Sequence, residues 1–182
     1  MFSTVLDDGD GQIRALAERV LAENRALGRT IALAESCTGG MVATALTDVP
    51  GSSDVLLAGF VTYADAAKQN LLGVSREIIE TFGSVSVACA WAMATGAVER
   101  AEADIGVAVS GVAGPDGGSD AKPVGTVVFS RVLRGQSADQ AFAERKLFDT
   151  SGGRAGIRRQ AAMFALELLL PTGDEQSAAT PA

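Results

Sequence analysis

The chain has 182 residues, 47% of them hydrophobic and 20% charged, which suits a single domain with an ordinary buried core. A net charge of −7 with no Lys/Arg-rich stretch argues against a broad nucleic-acid footprint, and no apolar run approaches the roughly 20 residues needed to cross a bilayer. No histidine and only two cysteines, Cys37 and Cys89, exclude Ser-His-Asp and Cys-His triads, His-ligated zinc and a disulfide framework within this chain. A hydrolase built from it must move protons with a lysine, a carboxylate or a tyrosine. Residues 1–10 are acidic where a secretory signal would be basic and then apolar, so a soluble cytoplasmic protein is expected.

Ile13, Leu16, Ala17, Val20 and Leu21 follow helical spacing, which predicts a first helix over about 11–27, stopped by Gly28. Thr30 to Ala34 reads as a strand, broken by Glu35-Ser36-Cys37-Thr38-Gly39-Gly40 before a helical stretch that ends near Pro50. Val55 to Tyr63 reads as a second, buried strand, with Asp65 as the cap of a short helix through Leu72. Helices are predicted at 76–82 and 87–102, strands at 105–109, 124–133 and 140–148, and a closing helix at 155–170, with Arg134-Gly135 near the last hairpin turn. Strands that alternate with helices and then form a hairpin predict an α/β fold, a three-layer α/β/α sandwich on a mixed sheet of about five strands. The expected organisation is an N-terminal extension at 1–10, one domain at 11–170 and a disordered tail at 171–182.

Three segments carry candidate chemistry. The first, Ala34 to Gly40, sets two hydroxyls and a thiol between a strand end and two glycines that open a helix. Amides there can hold an anion or a developing oxyanion, although a plain turn with Thr38 as helix cap fits the spacing equally well. The second holds Tyr63 and Lys68. With Asp65 as the cap, Lys68 occupies the third helical position, where the helix dipole disfavours an ammonium and favours a base; the alternative is an ordinary solvated lysine. The third runs from Ser110 to Gly118 with four glycines and a proline in nine residues, which suits a loop whose amides face a ligand or a flexible excursion. Arg154 and Arg158 open the last helix against its dipole, so each needs a partner, either a substrate phosphate or a carboxylate such as Glu167. Cys89 and Met93 fall on an apolar helix and read as core.

Taken together, AESCTGG at 34–40, GFVTYADAAKQNLLGV at 59–74 and AVSGVAGPDGGSDAKPVGTVVF at 108–129 resemble the CinA C-terminal domain family, and the likeness spans nearly the whole chain. The resemblance implies a metal-free, cofactor-free amidase that converts nicotinamide mononucleotide to nicotinic acid mononucleotide and ammonia within the pyridine nucleotide cycle and NAD salvage. It also implies a mixed five-stranded sheet and frequent dimerisation. By the same likeness Ser36 is the nucleophile, Lys68 its base, and Tyr63 a hydroxyl that assists proton transfer or positions the lysine. Thr38, Gly39 and Gly40 supply helix-terminus donors, Ser110, Gly111 and Gly114 line the nucleotide pocket, and Arg154 contacts the phosphate.

Several positions depart from the family pattern. The usual Tyr-Ser-Asn reads Tyr63-Ala64-Asp65, the usual threonine before the glycine loop is Ser110, and the usual Gly-Asp-Arg is Gly152-Gly153-Arg154, which removes a carboxylate beside the arginine. A stand-alone form, without the larger N-terminal domain of many members, is expected. Two alternatives stay open. Cys37 is a rival nucleophile beside Ser36. The other alternative is a non-catalytic nucleotide-binding or competence/damage-associated regulatory module, or an amidase with another substrate.

Overall fold

The computed structural model describes residues 8–173 and 175. Most of the segment expected as an N-terminal extension, and the tail beyond Glu175, lie outside the described residues. Along the chain come α1 (Asp8–Ala26), β1 (Ile31–Glu35), α2 (Met41–Thr47), a short 3-10 turn (Ser52–Asp54), β2 (Leu56–Val61), α3 (Asp65–Leu72), α4 (Arg76–Phe82) and α5 (Val87–Ala101). Then follow β3 (Ile105–Gly111), β4 (Thr126–Leu133), β5 (Phe142–Leu147) and α6 (Gly153–Leu168). The expected elements are all present with bounds shifted by a few residues, α1 beginning at Asp8 inside the predicted extension.

The sheet is mixed, in the order β2-β1-β3-β4-β5. β1 pairs in parallel with β2 and β3, and β4 runs antiparallel to both β3 and β5. Because β1 is an interior strand covered on both faces, all five of its residues are buried, hence the unbroken apolar run IALA before Glu35. Ile31 and Leu33 meet α1, α2 and α6 on one face, while Ala32 and Ala34 meet α3 and α5 on the other. Small residues on that second face let α5 lie close to the sheet. At Gly106 a Cβ would stand 2.6 Å from a Val98 methyl and 2.8 Å from the Ala94 carbonyl.

α6 is anchored by Phe129 of β4, which is fully buried and packs edge-to-face on Phe164 at 4.7 Å and on Phe148 at 6.0 Å. Truncation of Phe129 to alanine would cost about 3–5 kcal/mol and loosen the helix that carries Arg154 and Arg158.

Two sequence expectations need correction. β2 is not buried on both faces but is an edge strand, alternating half-buried and exposed, with Leu57 and Val61 each 47% exposed. Its side chains alternate between the two faces of the sheet, and the set with Leu57 and Val61 is left largely uncovered at this edge. Asp65 does not cap α3. Ala64, in extended conformation, occupies that place without a side-chain bond, and Asp65 is the first helical residue, so Lys68 stands fourth rather than third.

Candidate active site

β1, β2 and β3 are parallel, so their carboxyl ends open on the same edge of the sheet. From β1 the chain crosses by α2 over one face to β2, then returns by α3, α4 and α5 over the other face to β3. This reversal leaves a crevice at the ends of β1 and β3, the usual ligand position in open α/β sheets. A cavity of about 180 Å³ lies there, bordered by Ser36, Cys37, Lys68, Ser110, Gly111 and Arg154, with Tyr63, Asp65 and Ser84 at its edge. Larger hollows of about 340 and 620 Å³ open at the other end of the sheet around Arg134, but neither sets a hydroxyl or thiol beside a lysine.

Ser36 follows β1 directly. Its amide donates to the Val109 carbonyl at 2.9 Å, extending the β1–β3 ladder one residue beyond the strand, and its carbonyl accepts from the Gly39 amide at 3.0 Å. The side chain is therefore held at a tight turn at the cavity wall. Lys68 comes from the other face of the sheet. It is 1% exposed, and its Nζ lies 3.3 Å from Ser36 Oγ, 3.0 Å from the Thr62 carbonyl and 3.6 Å from Asp65 Oδ1. The solvated-lysine alternative fails: a buried amine held against a serine hydroxyl has the geometry of a nucleophile and its base.

Cys37, next in the chain, also borders the cavity, but it is 5% exposed and belongs to the buried apolar cluster that includes Val42, Ile157 and Ala161. Burial, aided by the nearby Glu35 charge, pushes its thiol up to about 12, although backbone amides and Arg158 act the other way. At neutral pH it is a thiol rather than a thiolate, a poor nucleophile. Cys89 and Met93 are fully buried in α5, as expected of core residues.

The start of α2 differs from the sequence expectation. Its cap is Gly40, in the left-handed region at φ 93°, not Thr38, whose hydroxyl is buried without a hydrogen-bond partner. The amides expected to meet an oxyanion are already engaged. Gly40 and Val42 donate to one oxygen of Glu35 at 3.0 and 3.2 Å, and Ala43 donates to the other at 2.8 Å. Gly39 donates to Ser36 and Met41 to Thr38. A carboxyl group of the chain itself thus fills the anion position at this helix end.

Tyr63 also departs from expectation. It is 60% exposed, and its hydroxyl accepts from Arg154 Nη2 at 2.6 Å instead of reaching Lys68. Arg154 Nη1 donates to the Gly114 carbonyl at 2.8 Å, so a phenol and a backbone carbonyl hold the guanidinium at the cavity mouth. Gly114 is needed for this bend: its φ is +75°, and a Cβ there would stand 2.6 Å from a Val124 methyl. Arg158 bonds neither Glu167 nor an open phosphate position; it donates to the carbonyls of Cys37 and Thr38 at 3.1 and 2.8 Å and braces the turn that follows Ser36. Ser110 Oγ donates to the Ser84 carbonyl at 2.8 Å and ties the end of β3 to the loop before α5.

Glu35 and Ser84 were missed in the sequence reading. The available signal for Glu35 was an acid ending an apolar strand just before a glycine-led helix. Ser84 offered none.

A family model, the CinA C-terminal domain, matches residues 13–172. This chain belongs to the CinA C-terminal domain family. Among its relatives, the nicotinamide-nucleotide amidohydrolase PncC of Escherichia coli strain K12 is 45% identical over 161 residues, covering 88% of this chain and 94% of that protein. A putative competence-damage inducible protein of Symbiobacterium thermophilum is 49% identical over 154 residues. A CinA-like protein of Syntrophotalea carbinolica is 47% identical over 160 residues. The chain spans only about a third of the length of these last two, 35% and 37%, although the matches cover 83% and 85% of this chain. The crystal structure of the competence/damage inducible protein CihA from Agrobacterium tumefaciens superposes with a TM-score of 0.83 at 43% identity, over 87% of this chain and 94% of that one.

Proposed function

We propose that this CinA-family chain is a nicotinamide-nucleotide amidase, hydrolysing the carboxamide of nicotinamide mononucleotide to nicotinic acid mononucleotide and ammonia. The observation that carries the reading is the buried Lys68–Ser36 contact of 3.3 Å inside a cavity with Arg154 at its mouth. The likeness to E. coli PncC over nearly its full length supplies the substrate.

In this reading the amine of Lys68 takes the proton from Ser36 Oγ as the oxygen attacks the carboxamide carbon. Collapse of the tetrahedral intermediate breaks the C–N bond, and Lys68 returns the proton to the departing nitrogen, which leaves as ammonia. Water, deprotonated by the same lysine, then cleaves the ester and frees Ser36 with the nicotinic acid product. Arg154, steadied by Tyr63 and the Gly114 carbonyl, pairs with the phosphate and sets the ring's depth. The proposal extends to a cytoplasmic enzyme of NAD salvage acting as a homodimer, for which the exposed apolar side chains of edge strand β2 offer a surface. Among the described residues no helix is long and apolar enough to cross a membrane.

The test is ammonia release from nicotinamide mononucleotide by the purified chain. Stoichiometric ammonia and nicotinic acid mononucleotide are expected. Nucleotide binding without turnover would overturn the enzymatic reading.

A further inference from the structure

Among the described residues Glu35 is the one buried acidic side chain, at 1% exposure, and the reaction drawn above leaves it without a task. It precedes the nucleophile, and both its side chain and its backbone are engaged. The side chain accepts the amides of Gly40, Val42 and Ala43, so it bridges from the end of β1 to the first turn of α2 across the Ser36–Gly39 loop. Its backbone carbonyl accepts the Thr62 amide at 2.8 Å, and the Thr62 carbonyl accepts from Lys68 Nζ at 3.0 Å. One residue therefore connects both members of the Ser36–Lys68 pair, the serine through the turn and the lysine through Thr62.

α2 has only seven residues and two left-handed glycines before it, so its own hydrogen bonds are too few to fix the position of that turn. Three charge-assisted bonds to a buried carboxyl group are strong enough to do so.

We infer that Glu35 is the positioning residue of this site: its carboxyl group clamps the start of α2 and so holds Ser36 Oγ at bonding distance from Lys68. The inference rests on the serine/lysine reading above and adds a residue that does not touch substrate. A displacement of even 1 Å at the nucleophile lowers the chemical step by about a hundredfold, while substrate contacts made by Arg154 stay in place. The signature is accordingly a loss in kcat with KM preserved.

The experiment compares wild type with Glu35→Gln and Glu35→Asp. Glutamine keeps the size but turns an N–H group toward at least one of the three amides, and aspartate keeps the charge but is one methylene too short. In whichever variant folds by melting temperature, kcat for nicotinamide mononucleotide is expected to fall about tenfold to a hundredfold, with KM within about threefold. Ser36 labelling by a fluorophosphonate, which needs no nicotinamide substrate, is expected to slow in parallel. A folded variant with wild-type kcat and labelling rate overturns the inference, as does an effect confined to KM or a wild-type Ser36 that resists the reagent. Absence of ammonia release by wild type would count against the proposed substrate alone, leaving the labelling rates to decide the role of Glu35.

Discussion

Lys68 Nζ lies 3.3 Å from Ser36 Oγ although the two residues come from opposite faces of the sheet, Ser36 leading into α2 and Lys68 within α3. A lysine that is 1% exposed contributes no surface solubility, and its contacts with Ser36, the Thr62 carbonyl and Asp65 fix its amine within the cavity. Lys68→Met, which keeps most of the side-chain volume, is expected to lower kcat by about 10²–10⁴. The double variant with Ser36→Ala should lose little more than either single variant, because the two groups act as a unit. Steady-state kinetics of the four proteins check this.

Cys37→Ala is expected to keep kcat within about threefold of wild type and to cost about 1 kcal/mol of stability from the small cavity left in the apolar layer. With its thiol pushed up to about 12 by burial, Cys37 should resist thiol-specific alkylation at pH 8 in the folded chain and react on denaturation. Activity assays and mass spectrometry before and after unfolding read both effects.

The Arg154–Tyr63 pair stands at the cavity mouth, where a phosphate would arrive. Arg154→Ala is expected to raise KM for nicotinamide mononucleotide about tenfold to a hundredfold and to have a much smaller effect on the riboside, which lacks the phosphate. Tyr63→Phe, which removes one of the two supports of the guanidinium, should show the same selectivity at a fraction of the size. KM measured for both substrates in each variant tests the assignment.

The α2 turn and the glycine loop were legible in the sequence because their glycines and hydroxyls have few uses outside turns and ligand contacts, and the apolar periods located nearly every element. Burial of Lys68 was not legible. Local pattern sends a lysine to the surface, and only the packing of α3 on α5, beside the turns that follow β1 and β2, encloses it. The role of Glu35 was hidden for a similar reason: its three partners lie five to eight residues on, and whether their amides face a ligand or the chain's own carboxyl group depends on how α2 meets β1. The resemblance makes Tyr63 a hydroxyl that assists proton transfer or positions Lys68, but that hydroxyl meets Arg154, 91 residues away, a contact created by the docking of α6.

Far from the site, Glu175 accepts from Arg29 at 2.9 Å and from Arg131 at 2.6 and 2.7 Å, beside the end of α6. Burial opposes its ionisation, but the Arg131 and Arg29 hydrogen bonds and the Thr172 amide outweigh this and hold the carboxyl at about 2, against an ordinary 4.5. A depressed carboxyl group contributes stability that is fully present above pH 4.5 and is lost as the pH falls through 4.5 toward 2. Glu175→Gln should therefore lower the melting temperature at pH 7 by a few degrees, equivalent to about 1–2 kcal/mol, with the difference from wild type shrinking as the pH is lowered from 4.5 toward 2. Thermal melts of both proteins across that range give the answer.

The most direct test of the serine/lysine account is ammonia release from nicotinamide mononucleotide by Ser36→Ala measured beside Cys37→Ala, with substrate binding followed by calorimetry in both. The account predicts that Ser36→Ala binds the nucleotide but releases ammonia at least about a thousandfold more slowly, while Cys37→Ala turns over almost as wild type. Near-normal turnover by Ser36→Ala, or its loss in Cys37→Ala alone, would contradict it.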